Sequence, residues 1–378
     1  MKLYQKAILP LFFKASGIPC GIKKSGKPDL AFLYSHLPAK ASCVFTANTV
    51  QAAPIKVNKQ YLKKRGLYRG IIVNSGNANC FTGRAGIRDA QAMTKAAAAA
   101  LDVPRESVLV ASTGIIGKRL PVERIKKAAP LLVHSLSVEG IHQAKKAIMT
   151  TDTFDKEASA TFMIGERTVT ICGIAKGAGM IAPNMATMLA FILTDANITQ
   201  QALDKALKAA VADSFNCITV DGCMSTNDSV MLLANDAAAN SLIDGGKDFA
   251  SFLAALKWVS LQLAKLIVRD AEGGTKFITI TVKGAATAQE AKKAALSIAN
   301  SNLFKTAVYG QNPNFGRIAA AVGASGIRVK EEKIKAKVSS LKKKDITVEV
   351  SVGSGKGSCV VYTSDLTPGY VRINAAYN

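Results

Sequence analysis

The chain reads as a layered protein of mixed helix and sheet, an α/β or α+β fold without the doubly wound nucleotide-binding pattern. Its 378 residues are 49% apolar and 20% charged, which suffices for two or three domains and a core that takes most apolar surface out of water. Helical 3.6-residue spacing alternates along it with short apolar or alternating runs, the signature of strands. These do not recur as regular βαβ units. The glycine-rich segment Gly353-Ser354-Gly355-Lys356-Gly357-Ser358 fails as a phosphate loop, because its glycine spacing is wrong and no serine or threonine follows the lysine directly. It reads as a turn between strands.

Residues 41–46 and 71–74 are strand-like, and the second run enters Asn74-Ser75-Gly76-Asn77-Ala78-Asn79, whose composition fits a backbone-shaped loop. An alanine-rich helix is expected over 87–101, closed before Pro104. A strand over 108–112 leads into Thr113-Gly114-Ile115-Ile116-Gly117. Helical spacing covers 121–136 and 140–149, with strands expected at 160–163 and 168–173. In the second half a strand at 192–195 precedes Thr199, a suitable cap for a helix over 201–215 with an apolar stripe of Leu203, Ala206, Leu207, Ala210 and Val211. A strand at 216–220, an apolar run at 231–234 and a long helix over 249–270 follow, the helix carrying Leu253, Leu256, Val259, Leu263 and Leu266 near one face. Strands at 278–282, 346–350 and 360–362 surround a helix over 287–301.

Lysine and arginine number 49 against 26 acidic residues, a formal charge of +23. Such an excess suggests nucleic acid where it clusters, but here the lysines are scattered or paired, with one block at Lys342-Lys343-Lys344. Neither zinc-finger spacing nor aromatic RNA-binding strands accompany them. The charge reads as a solvated surface that draws in small anions, and no nucleic-acid partner is expected. Seven cysteines without a Cys-x-x-Cys pair fit a reducing compartment. His36, His134 and His142 lack metal-ligand spacing, so no metal is expected. The amino-terminal apolar run is short, holds Pro10 and is closed by Lys14, unlike a secretory signal. The apolar runs at 185–193 and 266–268 are too short for a bilayer. A cytoplasmic protein with no membrane partner is the expectation.

The most informative stretch is 177–191. A break in the bond between Ala186 and Thr187 would leave Thr187 as a chain terminus, where one residue supplies both a hydroxyl nucleophile and, with an ordinary pKa of about 8, an α-amine able to take its proton. A plainer reading also fits: Gly177 and Gly179 interrupt a strand, Pro183-Asn184 turns the chain, and 185–193 is one core segment.

Residues 176–191, Lys-Gly-Ala-Gly-Met-Ile-Ala-Pro-Asn-Met-Ala-Thr-Met-Leu-Ala-Phe, are very similar to the self-cleavage segment of the glutamate N-acetyltransferase/ornithine acetyltransferase family of arginine biosynthesis. The resemblance covers nearly the whole chain, with islands at 74–79, 112–117, 150–153, 221–228, 305–317 and 363–366. It implies a layered αββα-like fold, self-cleavage into an α chain of residues 1–186 and a β chain of 187–378, and an α2β2 heterotetramer. It also implies acetyl transfer from N-acetylornithine to glutamate without a cofactor; some members of the family use acetyl-CoA as well. In its terms Thr187 is the nucleophile. Thr113, by its hydroxyl, and Gly114, by its N–H, form the oxyanion hole, where one donor is worth about 3 kcal/mol in the transition state. Thr153, Lys176, Glu272 and Asn374, with Thr187, contact the substrates. Without the resemblance, Thr113-Gly114 is equally a strand-end turn, Lys176 a surface lysine and Glu272 part of an acidic turn.

The chain departs from the family's pattern at Asp155, where proline is usual, at Cys223 and Asn312, where aspartate is usual, and at Phe315 for tryptophan. A serine or threonine expected five residues after Asn374 has no counterpart in a sequence ending at Asn378. These changes bear on amino-acid preference and leave the nucleophile in place. Two other readings accompany the transferase: an amidase of the same chemistry with water as acceptor, and a non-enzymatic relative that keeps only the fold.

Overall fold

The computed structural model describes residues 1–64, 66–182, 188–353 and 355–376. They form two compact units, one of 1–177, 188–214 and 224–263, the other of 178–182, 215–223 and 264–376.

The first unit runs in chain order through β1 (Lys2–Tyr4), β2 (Phe13–Ile18), β3 (Leu30–Phe45), α1 (Ala53–Leu62), β4 (Tyr68–Asn77), α2 (Gly83–Leu101) and β5 (Val108–Ile115). It continues with α3 (Val122–His134), α4 (Ile141–Ala147), β6 (Lys156–Ile164), β7 (Arg167–Lys176), β8 (Leu189–Thr194), α5 (Gln200–Ala212), β9 (Ser229–Ala234) and the greater part of α6 (Gly246–Arg269), up to Leu263. Strand β3 belongs to two sheet halves. Its first part pairs with β2 and with β4 over Leu30 to Tyr34, and its last six residues pair with β9. Order along the sheet is β1-β6-β7-β8-β9-β3-β4-β5, with β2 beside β3.

The two halves face one another across a core that includes Phe13, Leu33, Ile71, Ile174, Phe191 and Met231, with α4 packed into it. Outside one half, α1, α2 and α3 cover Phe32, Ile72, Val108 and Val110. Outside the other lie α5, which packs on β3, and α6. Gly173 of β7 makes room for α6: a Cβ there would sit 2.7 Å from Leu263 Cδ1 and 2.9 Å from Val259 Cγ1. The result is the expected αββα layering. By length and composition α6 could cross a membrane, with a mean hydropathy of 1.5, but Phe252, Leu256, Val259 and Leu263 are fully buried and Phe252 meets Phe162 of β6 edge-on. It is a core helix.

The second unit contains β10 (Phe277–Ala285), α7 (Ala288–Ala299), α8 (Asn302–Tyr309), α9 (Phe315–Gly323), β11 (Lys335–Val338), β12 (Asp345–Ser351), β13 (Gly357–Ser364) and α10 (Pro368–Ala375). Its sheet has the order β11-β12-β10-β13. Alternating Ile278, Ile280 and Val282 of β10 face Ala291, Ala295 and Ile298 of α7 in one core.

Several expectations need correction. Residues 216–220 are not a strand: Phe215–Cys217 is a 3-10 turn, and Ile218 makes a single bridge to Tyr362. Strand β8 begins at Leu189, not 192, and β4 continues through Asn77 into the stretch read as loop. On α6 the buried stripe is displaced, so that Leu253 and Leu266 are only half-buried. Thr199 does cap α5, accepting from the Ala202 N–H at 3.2 Å.

Lys305 of α8 is 2% exposed and its ammonium donates to the Val220 carbonyl. Burial pushes its pKa down from 10.5 to about 8, against the pull of Asp221 and Asp365. The folded chain therefore binds fewer protons than the unfolded chain between those values, and the cost of burying the charge, complete below about 8, is relieved as pH rises through that window. Thermal unfolding of Lys305→Met and the parent at pH 7 and pH 10 checks this. The melting temperature of the variant relative to the parent should fall on going to pH 10; a constant difference would refute it.

Candidate active site

In the first unit the ends of β4 and β5 run in parallel, with Asn74 beside Ser112, Ser75 beside Thr113 and Gly76 beside Gly114. Thr113 is 2% exposed. Gly114 has φ +131°, in the region open to glycine, and a Cβ there would collide with the Gly76 backbone. Asn227 binds the two strand ends together, its side-chain amide donating to the Ala78 carbonyl at 2.6 Å and the Ser112 carbonyl at 2.8 Å.

Strand β7 delivers Lys176 beneath this corner. Its Nζ lies 2.7 Å from Thr150 Oγ1 and 3.3 Å from Thr113 Oγ1. Beside it, Asp152 Oδ1 accepts from Lys156 Nζ at 2.7 Å and from the Gly177 N–H at 2.6 Å, while Oδ2 accepts from the Thr150 N–H at 2.9 Å. Lys176 stands 3.9 Å from Oδ2. Burial alone would raise the Asp152 pKa, but the charges of Lys176 and Lys156 hold it well below the usual carboxylate range. Lys156 and Lys176 thus both face the Asp152 carboxylate.

Lys176 and Leu189 are register partners in the antiparallel pair of β7 and β8, so the chain leaves the sheet and returns to it at one place. At the return, the Met188 N–H donates to Asp228 Oδ1 at 2.8 Å. Asp228 is fully buried, and its Oδ2 has no hydrogen-bond partner. Burial raises its pKa well above the usual range, against the Met188 N–H, the Lys176 charge and the Ser225 hydroxyl. The two carboxyls are driven in opposite directions, Asp152 toward its ionised form and Asp228 toward its neutral one.

The second unit carries another constellation. Asp221 Oδ1 accepts from the Ile181 N–H at 2.9 Å, and Oδ2 from the Met180 N–H at 2.6 Å and the Tyr370 hydroxyl at 3.2 Å. The Glu272 N–H donates to the Ala178 carbonyl at 3.1 Å, and its Oε2 accepts from Asn374 Nδ2 at 2.9 Å. Gly179 permits this approach, since a Cβ there would strike the Glu272 carboxylate. The Cys223 N–H caps Asp221 Oδ1 at 3.1 Å, a contact that does not require the usual aspartate side chain.

Of the residues singled out in the sequence, the structure brings Thr113 and Lys176 together in the first unit and Glu272 and Asn374 together in the second. Thr153 is exposed in the bend after Asp152. Ala186 and Thr187 lie outside the described residues. Asp155, in the usual proline position, pairs with Lys145 at 2.6 Å. Asn312 lies beyond α8, its N–H donating to the Ala307 carbonyl at 2.9 Å, and Phe315 is 51% exposed at the start of α9. Sequence reasoning missed Asp152 and Lys156, Asp228, and Lys23, whose pKa burial lowers to about 8 with Lys176 among its neighbouring charges. The spacing of Asp152 and Lys156, four residues apart, was the available signal. Among the described residues no group of His, Cys, Asp and Glu side chains could hold a metal.

The sequence profile of the ArgJ family matches residues 14–342 and 335–378. The arginine biosynthesis bifunctional protein ArgJ of Geobacter sulfurreducens is 46% identical over 97% of this chain and 98% of its own length. That of Caldanaerobacter subterraneus subsp. tengcongensis is 44% identical over 98% of each. Among solved structures, a chain of Bacillus halodurans ArgJ is 37% identical with a TM-score of 0.46, covering 49% of this chain and 98% of that one. A chain of Mycobacterium tuberculosis ornithine acetyltransferase, solved with ornithine, is 39% identical with a TM-score of 0.45, covering 48% and 97%. The chain belongs to the ArgJ family and is an acetyltransferase of arginine biosynthesis, acting between ornithine and glutamate intermediates.

Proposed function

We propose that the enzyme cuts itself between Ala186 and Thr187, and that the freed Thr187 carries acetyl from N-acetylornithine to glutamate. The observation that carries this reading is the contact of Lys176 Nζ with Thr113 Oγ1 at 3.3 Å, on the strand that leads into the cleavage segment. A lysine ammonium only donates, so Thr113 accepts from it and keeps its own hydroxyl hydrogen for an acceptor elsewhere. That hydrogen, with the Gly114 N–H, is the donor pair for the oxyanion formed when Thr187 attacks an acetamide.

Charge supports the same assignment. Lys176, buried beside Thr113 and Thr150, offers an ammonium suited to the α-carboxylate common to both amino acids. In the second unit Glu272, paired with Asn374, suits the side-chain ammonium of ornithine. Thr153 supplies a further polar contact. The Thr187 α-amine takes the hydroxyl proton on attack and returns it when glutamate displaces the threonine ester. Ornithine leaves before glutamate enters, because both need one α-amine position. No metal or organic cofactor takes part, although acetyl-CoA could serve as a second acetyl donor. An α2β2 assembly in the cytoplasm completes the reading, in keeping with seven cysteines that are all free thiols.

Thr187→Ala should leave an intact chain with no acetyl transfer, and Thr187→Ser should retain part of both. The mass of the purified protein and an assay with N-acetylornithine and glutamate measure this; transfer by the alanine variant would reject Thr187 as nucleophile. Replacing Thr113 with valine removes one oxyanion donor at similar volume, so kcat should fall about 100- to 1000-fold with KM little changed. A rise confined to KM would assign Thr113 to substrate binding. Steady-state plots against the two substrates should be parallel, and acetyl, a mass of about 42 Da, should be trapped on the β chain when glutamate is withheld. Intersecting plots without trapped acetyl would indicate direct transfer. Substituting acetyl-CoA for N-acetylornithine in the same assay decides whether it is a donor.

A further inference from the structure

Asp228 has no role in the transfer reaction as described, yet its placement is specific. It immediately precedes β9 and is 0% exposed. One carboxyl oxygen holds the Met188 N–H at 2.8 Å, and the other is buried without a hydrogen-bond partner. Orphaned polar atoms are scarce in folded proteins and call for an explanation. The Met188 nitrogen is only three covalent bonds from the Thr187 nitrogen, the atom that must leave the Ala186 carbonyl in self-cleavage. Departure of an amide nitrogen requires a proton, and a carboxyl that both gives and accepts one is the simplest carrier.

We propose that Asp228 is the proton relay of self-cleavage. The Thr187 hydroxyl oxygen bonds to the Ala186 carbonyl carbon as that carbon's bond to the Thr187 nitrogen breaks. Asp228 gives its proton to the departing nitrogen, which becomes the free α-amine. The carboxylate left behind takes the proton released by the Thr187 hydroxyl, and Asp228 ends the step as it began. Water then hydrolyses the ester, leaving a carboxylate on Ala186 and restoring the Thr187 hydroxyl. Burial favours the protonated form of this carboxyl, against the Met188 N–H, the Lys176 ammonium and the Ser225 hydroxyl nearby, and so favours the form that carries the proton the step needs. Its ionised counterpart, Asp152, holds the other end of the cleavage segment through the Gly177 N–H and has no proton to give.

This rests on the bond between Ala186 and Thr187 being the one cut, and the experiment separates the two claims. Purified parent protein that is intact, or cut elsewhere by mass, removes the underlying reading. Given a correctly cut parent, Asp228→Asn is the test, because asparagine keeps the size, an acceptor for the Met188 N–H and a donor in place of the acidic proton, but cannot relay. It should fold, by circular dichroism, and cleave at least about 100-fold more slowly. Asp228→Glu, which keeps the acid at a different reach, should recover part of that loss. Cleavage of the asparagine variant at the parental rate would overturn the proposal, as would a glutamate variant no faster than a folded asparagine variant. Hydroxylamine should capture no Ala186 ester from Asp228→Asn; accumulation of one would place Asp228 after the acyl shift and equally overturn it.

Discussion

The buried carboxylate of Asp152 is the fixed point of the first unit. It joins the turn at Thr150, the beginning of β6 through Lys156 and the end of β7 through the Gly177 N–H. Its side chain and that of Lys156 are both 0% exposed, so neither charge can be solvated if the other is lost. Removing one partner from such a pair typically costs 3–5 kcal/mol. Lys176 is held upright beside them, and Thr113 is in turn held by Lys176. The orientation of the oxyanion donor is thereby inherited from an ion cluster in the core.

Asp152 and Asp228 show how environment divides the labour of one side chain. Asp152 has two ammonium neighbours and accepts from the Thr150 and Gly177 N–H groups, whereas Asp228 has the Met188 N–H, the Ser225 hydroxyl and the more weakly felt charge of Lys176. Both are withdrawn from water, and only the first is compensated. Pairs of titratable groups driven in opposite directions are how acid and base tasks coexist at a single pH. Neither would be recognised by residue type alone.

Much of the fold was legible because it is written in periodicity. The helix α5 with its Thr199 cap and the alternating strand β10 follow directly from local pattern. The first part of β3 did not announce itself, since Leu30, Ala31, Phe32 and Leu33 are all buried and a strand covered on both faces loses its alternation. Short elements such as α8 and α9 are fixed by their caps, Ser301 and Asn314, and by packing against α7. The sequence motifs singled out Thr113, Lys176 and Glu272 as candidates, but not the reason for Gly179, where a Cβ would strike the Glu272 carboxylate. That reason lies in contacts between residues about ninety positions apart, and no local spacing encodes them.

Strands β7 and β8 flank the proposed cut and are hydrogen-bonded neighbours over six register pairs. Scission would therefore not divide the molecule along a domain boundary; it would divide a single sheet between two polypeptides. Before the cut, folding is a first-order event in one chain. Afterwards the same sheet can re-form only by a second-order encounter of two chains, each lacking strands the other owns, so thermal inactivation acquires a concentration dependence. Processing would then act as a ratchet: a molecule must fold correctly once to cut itself, and having done so it loses the unimolecular route by which it first folded.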